Sequence, residues 1–583
     1  MSMSPRFWCW TGVVGVLLVA LAAVLGWVVF PYAVNMVIGQ MLALQEGSDA
    51  WDRWVELPID LDMKLSIFNV TNKEEIMRGA KPKLQEVGPY VYKQHRRKYD
   101  ISVDEQAGTV SYHQSLIHTF SQELSGKFRP DDVVTVVNPA LLSLLGIMQN
   151  IPVLSKGTMF VDAAAPLLFP DGLFVTTTAD QLLFRGVRIP CSEVEGGGGG
   201  SSSSSTLLGE NVKAGLTPTP RLAALITCSS FKRIKLPTVR VTDSGDVLFA
   251  LFMNKNNTYD GRYTVRTGVQ QPERLAQITA WQGKPAVSAW GGPTCNAING
   301  TQGDIFSPYL TKDSIISVFS TDICRSMSLK YVEDTEYRGI RGYRFSPGPE
   351  VMASAAENGD NYCFCPQAAR GLTKENGCLR RGALDLSGCQ GIPVVITYPH
   401  FYMSDPFYLD GVEGLNPRAE LHRMQLDIEP MTGTPLLGGK KMQLNFQMKQ
   451  VEGVMLTKGL RDTLFPVAWM YEGAQLNTEL IEMLNGLLFS KLTILDAVKY
   501  CLLALGSVMF LSGTALFVRA RRRGTVVRPD SPRSAAAAAA AAAHAGGNGA
   551  NDVGLMPPPA ARRHGPATAT AETRLQAGAN GGV

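Results

Sequence analysis

The chain has 583 residues, of which 45% are hydrophobic and 18% charged, with a formal net charge of +4. That balance is too polar for a multi-span transporter, and so small a charge provides no basic face for a nucleic-acid partner. No H-E-x-x-H, G-x-S-x-G or Walker A pattern occurs, so no catalytic residue, metal site or cofactor is expected and the chain is read as a non-enzyme.

A short N-terminus, residues 1–6, leads into the first predicted element. Phe7 to Phe30 (FWCWTGVVGVLLVALAAVLGWVVF) holds 24 residues without a charge. About 20 apolar residues cross a bilayer core of ~30 Å. Trp8, Trp10 and Trp27 sit near its ends, where amphipathic rings favour the membrane interface. The run exceeds the apolar core of a cleaved signal peptide and no clear A-x-A site follows, so a retained transmembrane helix is expected.

Residues 31–498 are expected as one large outer domain. Short β-branched and aromatic runs punctuated by Gly, Pro, Asn and Asp predict antiparallel strands: Lys64–Val70, Tyr90–Tyr92, Thr109–Tyr112, Val239–Thr242, Val247–Phe252, Val394–Tyr398 and Met442–Phe446. Tyr92–Tyr99 (YKQHRRKY) reads as a solvated strand face or as a patch for an anionic ligand. Pro139–Met148 (PALLSLLGIM) predicts a helix apolar nearly all round, which must be buried or must meet lipid, a ligand or a partner. Asp180–Phe184 follows Thr176-Thr177-Thr178, a cap-like series, and predicts a second helix. Lys156 is either an ordinary surface lysine or a contact for the head group of a greasy acid. Asp427 and Glu429 would share one strand face, and a structural role suits them better than paired-carboxylate chemistry.

Gly196–Ser205 (GGGGGSSSSS) is a flexible insertion flanked by Cys191 and Cys228. A bridge between these two would tether its base and contribute roughly 3–4 kcal/mol, the alternative being two free thiols. Six further cysteines lie between Cys295 and Cys389. The C-x-C spacing of Cys363 and Cys365 is poor for zinc, and an oxidising compartment favours disulfides; six cysteines still allow 15 pairings. The sequons at Asn69, Asn256 and Asn299 all fall in this region, which places it outside the cytosol and glycosylated.

Residues 499–518 form a second apolar run, YCLLALGSVMFLSGTALFV from Tyr500 on. Arg519, Arg521, Arg522 and Arg523 follow it, which predicts a cytosolic C-terminus, and with two spans a cytosolic N-terminus. The tail, residues 519–583, contains the alanine run Ala535–Ala543 and lacks the apolar content to fold.

Taken in order, a set of short motifs resembles the class B scavenger receptor family, which includes fatty-acid translocases, croquemort and the sensory neuron membrane proteins. They are Phe68–Asn72 (FNVTN), Glu86–Tyr90 (EVGPY), Cys295–Thr301 (CNAINGT), Asp322–Ser326 (DICRS), Asn361–Pro366 (NYCFCP), Pro399–Phe401 (PHF), Gly414–Pro417 (GLNP) and Leu426–Thr434 (LDIEPMTGT). Val175–Cys191 and Tyr471–Asn477 look closest to the arthropod sensory branch.

The resemblance implies an α+β, mostly antiparallel β fold. It implies a barrel-like ectodomain with an apical helical bundle at about 139–184 and an internal hydrophobic tunnel, anchored by transmembrane helices at both ends. It implies the bridges Cys295–Cys363, Cys324–Cys389 and Cys365–Cys378. The implied function is a plasma-membrane receptor that takes lipids or lipophilic signals, including pheromones, and delivers them to the membrane or to an odorant-receptor complex. A phagocytic or lipoprotein scavenger receptor that binds particles or proteins at the apex is the alternative. The ligand mouth would combine Lys156 with Leu141, Leu145 and Met148.

Overall fold

The computed structural model describes residues 5–150, 158–196, 219–233, 236–365, 373–374 and 378–524. Lys156, most of the Gly/Ser insertion and the tail beyond Gly524 lie outside the described residues.

The chain divides into two compact units, Met1–Val13 with Met509–Val583, and Val14–Val508. In the first, a Cβ on Gly513 would lie 2.6 Å from the Gly12 nitrogen, so the two terminal helices touch backbone to backbone. In the second, Gly506 packs as closely against Gly15 and Val19. Both helices exceed the apolar runs that signal them: Arg6–Leu42 is 37 residues long and Ser490–Arg523 is 34. The first continues through Pro31 because a π-turn, Leu25–Val29, precedes it; the altered hydrogen-bond spacing there accommodates the missing N–H and the ring. Apolar side chains such as Leu17, Val28 and Leu511 point outward, as lipid-facing helices require.

The second unit is built on a thirteen-stranded antiparallel sheet. Eleven of its strands form one series: β1 (Leu61–Val70), β2 (Leu84–Asp104), β3 (Thr109–Phe120), β4 (Thr258–Arg266), β5 (Ile278–Trp281), β6 (Ile316–Ser320), β7 (Arg325–Tyr337), β8 (Ile340–Pro347), β9 (Gln425–Glu429), β10 (Thr434–Met448) and β11 (Thr463–Gln475). Their spatial order is β5-β4-β3-β2-β1-β11-β10-β9-β8-β7-β6. Two short strands, Leu384–Asp385 and Val394–Thr397, attach beside β10. The series is a meander whose first strand pairs with its last, so the chain ends enter it side by side.

A closed barrel is not formed. The outer strands β5 and β6 do not pair; residues Gly300–Thr301 lie between them instead. The Ile278 N–H donates to the Gly300 carbonyl at 2.8 Å, and the Thr301 N–H to that of Ser317 at 3.1 Å. Gly300 has φ +84, and a Cβ there would meet the Ser317 oxygen at 1.8 Å, so this crossing admits only glycine.

A cap of helices packs on one region of the sheet, and the two share one continuous apolar core. Helix Pro139–Asn150 starts where Asn138 accepts the Leu141 N–H at 3.2 Å, with proline at its first position. Helices Thr158–Leu168, Cys191–Gly196 and Pro220–Arg233 complete the cap, with the hairpin Val133–Val137/Phe174–Thr178 and a small sheet of Val187–Ile189, Val239–Val241 and Val247–Phe249. The cap therefore reaches past residue 184. Asp180–Phe184 is replaced by a π-turn, Gln181–Arg185, in which Thr178 and Gln181 cap each other reciprocally at 3.3 Å.

Disulfides join Cys191 to Cys228, Cys295 to Cys363, Cys324 to Cys389 and Cys365 to Cys378. The first ties helix Cys191–Gly196 to helix Pro220–Arg233 across the insertion. Cys324–Cys389 holds the segment between β8 and β9 to the turn between β6 and β7, Cys295–Cys363 holds it to the connection between β5 and β6, and Cys365–Cys378 closes a loop within it. With these thiols consumed, the zinc alternative for Cys363, Cys365, Cys378 and Cys389 is removed.

Candidate functional site

A cavity of about 230 Å³ lies within the sheet. Leu57, Leu61, Leu116, Phe306, Met327 and Leu476 supply apolar wall, and Arg96, Lys255, Asp260, Asp322, Lys440 and Glu472 supply charged wall.

Strand alternation explains how charges come inside. In Tyr92–Tyr99 the side chains of Gln94, Arg96 and Lys98 fall on the inner face of β2. Those of Lys93, His95 and Arg97 fall on the outer face, where Lys93 pairs with Asp62 at 2.7 Å and His95 and Arg97 meet Glu56 at 3.2 and 3.6 Å. The basic run is thus half solvated face and half interior.

Inside, every cation has an acid. Arg96 bonds Asp304 at 2.6 Å and Glu472 at 2.5 Å, Lys98 bonds Asp304 at 3.1 Å, and Lys255 bonds Asp322 at 2.8 Å. Lys440, directly opposite Glu472 in the β10–β11 register, bonds both Glu472 and Asp322. Lys98 also lies 5.1 Å from the Trp54 ring centre and 5.6 Å from that of Tyr112. Burial opposes ionisation of Asp322 and Glu472, but Lys255 and Lys440 outweigh it for Asp322, and Lys440 and Arg96 for Glu472, so both carboxyls stay charged well below the usual range. The Gln94 amide Nε2 donates to His118 Nε2 at 2.9 Å in this interior, and burial pushes His118 down to about 4, so it is neutral at physiological pH. Where the resemblance implies an apolar tunnel, the cavity wall is amphipathic and carries fixed charge.

Three of the recognition motifs meet at a second cluster. Glu86 of EVGPY bonds the His400 Nε2 of PHF at 3.0 Å, while the His400 Nδ1 accepts the backbone N–H of Asn416 in GLNP at 3.0 Å. The Trp469 indole donates to Glu86 at 2.8 Å, and His422 stacks on His400 with ring centres 4.4 Å apart. Burial raises the Glu86 carboxyl, but the His400 and Trp469 hydrogen bonds prevail and hold it at about 2. These motif residues lock one loop to β2 and β11 and leave no reacting group free. Asp427 and Glu429 are likewise engaged: Asp427 with Arg344 at 2.7 Å, Glu429 with the N–H groups of Met431 and Thr432.

Leu141, Leu145 and Met148 sit together on one helix, at 0%, 2% and 6% exposure, inside the cap core. They do not line the 230 Å³ cavity. Asn256 and Asn299 are exposed; Asn69 is half-buried in β1, with its Oδ1 accepting the Thr135 N–H at 2.8 Å.

A family profile described as the CD36 family matches residues 13–517. Sensory neuron membrane protein 2 of Anopheles gambiae is 32% identical over 90% of this chain and 95% of its own length. Its namesake in Aedes aegypti is 30% identical over 82% of this chain and 93% of its own. Sensory neuron membrane protein 1 of Pediculus humanus subsp. corporis is 29% identical, over 88% and 92%.

Proposed function

Because the chain belongs to the CD36 family of membrane receptors, we propose that it captures lipids or lipophilic signals and passes them through its outer domain to the bilayer or to a neighbouring odorant receptor. The observation that carries this reading is the amphipathic cavity of about 230 Å³ inside the sheet. Sites that enclose a whole drug-sized ligand span ~300–1,000 Å³, so this one receives a segment of a long chain at a time. Leu57 in its wall belongs to the stretch between the first terminal helix, which ends at Leu42, and β1, and Leu476 to the stretch between β11 and the second, which begins at Ser490; this favours an exit toward the membrane.

Transfer needs no chemical step. Each methylene leaving water gains roughly 0.8 kcal/mol, so a long chain leaves its carrier slowly, and a sheltered route lowers that barrier. Because the cations around the cavity, Arg96, Lys255 and Lys440, are already paired with acids, an acidic head group must find its partner elsewhere, and Lys156 is the residue proposed for it. The arginines from Arg519 to Arg523 support cytosolic termini and an extracellular domain at the plasma membrane.

Equilibrium uptake of a fluorescent long-chain fatty acid and of a hydrocarbon probe by the delipidated full-length protein tests the reading. Both are expected to bind. Lys156→Ala should weaken the acid by up to ~5-fold, as for an exposed ion pair, and leave the hydrocarbon unchanged. Uptake of neither probe would overturn the function; equal loss of both would overturn the role of Lys156.

A further inference from the structure

Arg325 is the one charge in the core of the disulfide-rich region whose neutralisation the described residues do not explain. It follows Cys324 at the start of β7 and is 7% exposed. Its hydrogen bonds all leave from Nη2, to the Val351 carbonyl at 2.7 Å and the Asn361 side chain at 3.4 Å. Nε is buried without a partner, and among the described residues no carboxylate forms an ion pair with the group. The Phe364 ring covers its face at 3.7 Å, held there between Cys363 and Cys365, each in its own bridge. A buried cation without a counter-charge is costly.

Space for a counter-charge is present. A cavity of about 40 Å³ adjoins Arg325, with Ser354, Asn361, Phe364 and Asp385 among its walls. At roughly 10–15 Å³ for each water-sized occupant, it takes one atomic anion or about three to four waters, and it is too small for an acyl chain. Asp385 does not serve as the counter-ion, since its carboxylate accepts the Ser387 N–H at 2.8 Å and makes no contact with Arg325. Glu350 is paired with Lys330 at 2.5 Å.

We propose that Arg325 and this cavity form a binding site for a small monovalent anion of chloride's size, which completes the charge balance of the bridged region between β7 and β9. The site is separate from the lipid route, and loss of one leaves the other standing.

Thermal unfolding of the full-length glycoprotein in detergent, with chloride replaced by gluconate at constant ionic strength, reads the site directly. The midpoint should rise by about 1–2 °C per tenfold increase in chloride once the site begins to fill. Bromide should substitute, and Arg325→Gln should abolish the dependence. A midpoint indifferent to chloride in the wild type, or an unchanged dependence in Arg325→Gln, would overturn the proposal. Should that variant fail to fold, bromide anomalous scattering from wild-type crystals decides: a peak within hydrogen-bond distance of Arg325 supports the site, and water density alone there refutes it.

Discussion

Replacing Glu472 by Gln keeps the side-chain volume but removes the charge that Arg96 and Lys440 share at 2.5 Å each. Each of these contacts is worth ~4 kcal/mol at an effective dielectric of ~20 and a charge separation of ~4 Å. Against their sum, the carboxylate's burial penalty of several kcal/mol is recovered, which leaves a net loss of ~3–5 kcal/mol. For a domain of roughly 430 residues, with an unfolding entropy of ~2.1 cal/mol/K per residue, the midpoint should fall by ~3–5 °C. The assay is tryptophan fluorescence during heating of the full-length protein at neutral pH. Adding Arg96→Met to Glu472→Gln should cost ~1–3 kcal/mol less than the two changes summed, because both remove the same Arg96–Glu472 contact, which the sum counts twice. A midpoint within about 1 °C of wild type, or strictly additive costs, would show that the interior ion network contributes nothing to the fold.

Acid should destabilise the domain through His118. Its folded form stays neutral down to about 4, while the unfolded ring takes its proton near 6.5. Stability is therefore complete above pH 6.5 and is lost as pH falls toward 4, by up to ~3 kcal/mol; His118→Gln should flatten the melting temperature over that interval. Replacing Cys191 and Cys228 by Ser opens a bridge spanning 37 residues and should cost ~3–4 kcal/mol, measured by denaturant unfolding of wild type and variant. Epitope tags at each terminus should be reached by antibody only after permeabilisation; surface staining of intact cells at either tag would contradict the cytosolic assignment.

Much of the framework is legible in the sequence. Charge-free runs announced the terminal helices because lipid excludes charge over a fixed thickness. The charge-free stretch runs on past Phe30 to Gln45, and it is Pro31, which reads as a helix end, that hides the continuation of the first helix to Leu42. The sheet was visible as alternation, yet alternation does not say which face is inside. In Tyr92–Tyr99 the basic residues on both faces hid the fact that Arg96 and Lys98 point inward to acids more than 200 residues away. Helix Pro220–Arg233 could have been found: Ala223, Ala224, Thr227, Cys228 and Phe231 are its buried stripe at helical spacing, after a proline and before Lys232 and Arg233. The open sheet edge rests on Gly300, which the sequence presents only as the middle of a sequon. The bridge between Cys191 and Cys228 follows from their places at the two sides of the Gly/Ser insertion, whereas the partners of the six cysteines from Cys295 to Cys389 follow from family resemblance alone, since spacing leaves all 15 pairings open.

Lipid delivery itself is most directly tested with the full-length protein in liposomes, the domain between its terminal helices facing outward. A fluorescent long-chain ester is offered on an aqueous carrier and its arrival in the bilayer is timed. The account predicts transfer faster than into protein-free liposomes, saturable by unlabelled ester, and slowed by Met327→Trp, which fills the cavity wall. Transfer at the protein-free rate would contradict it.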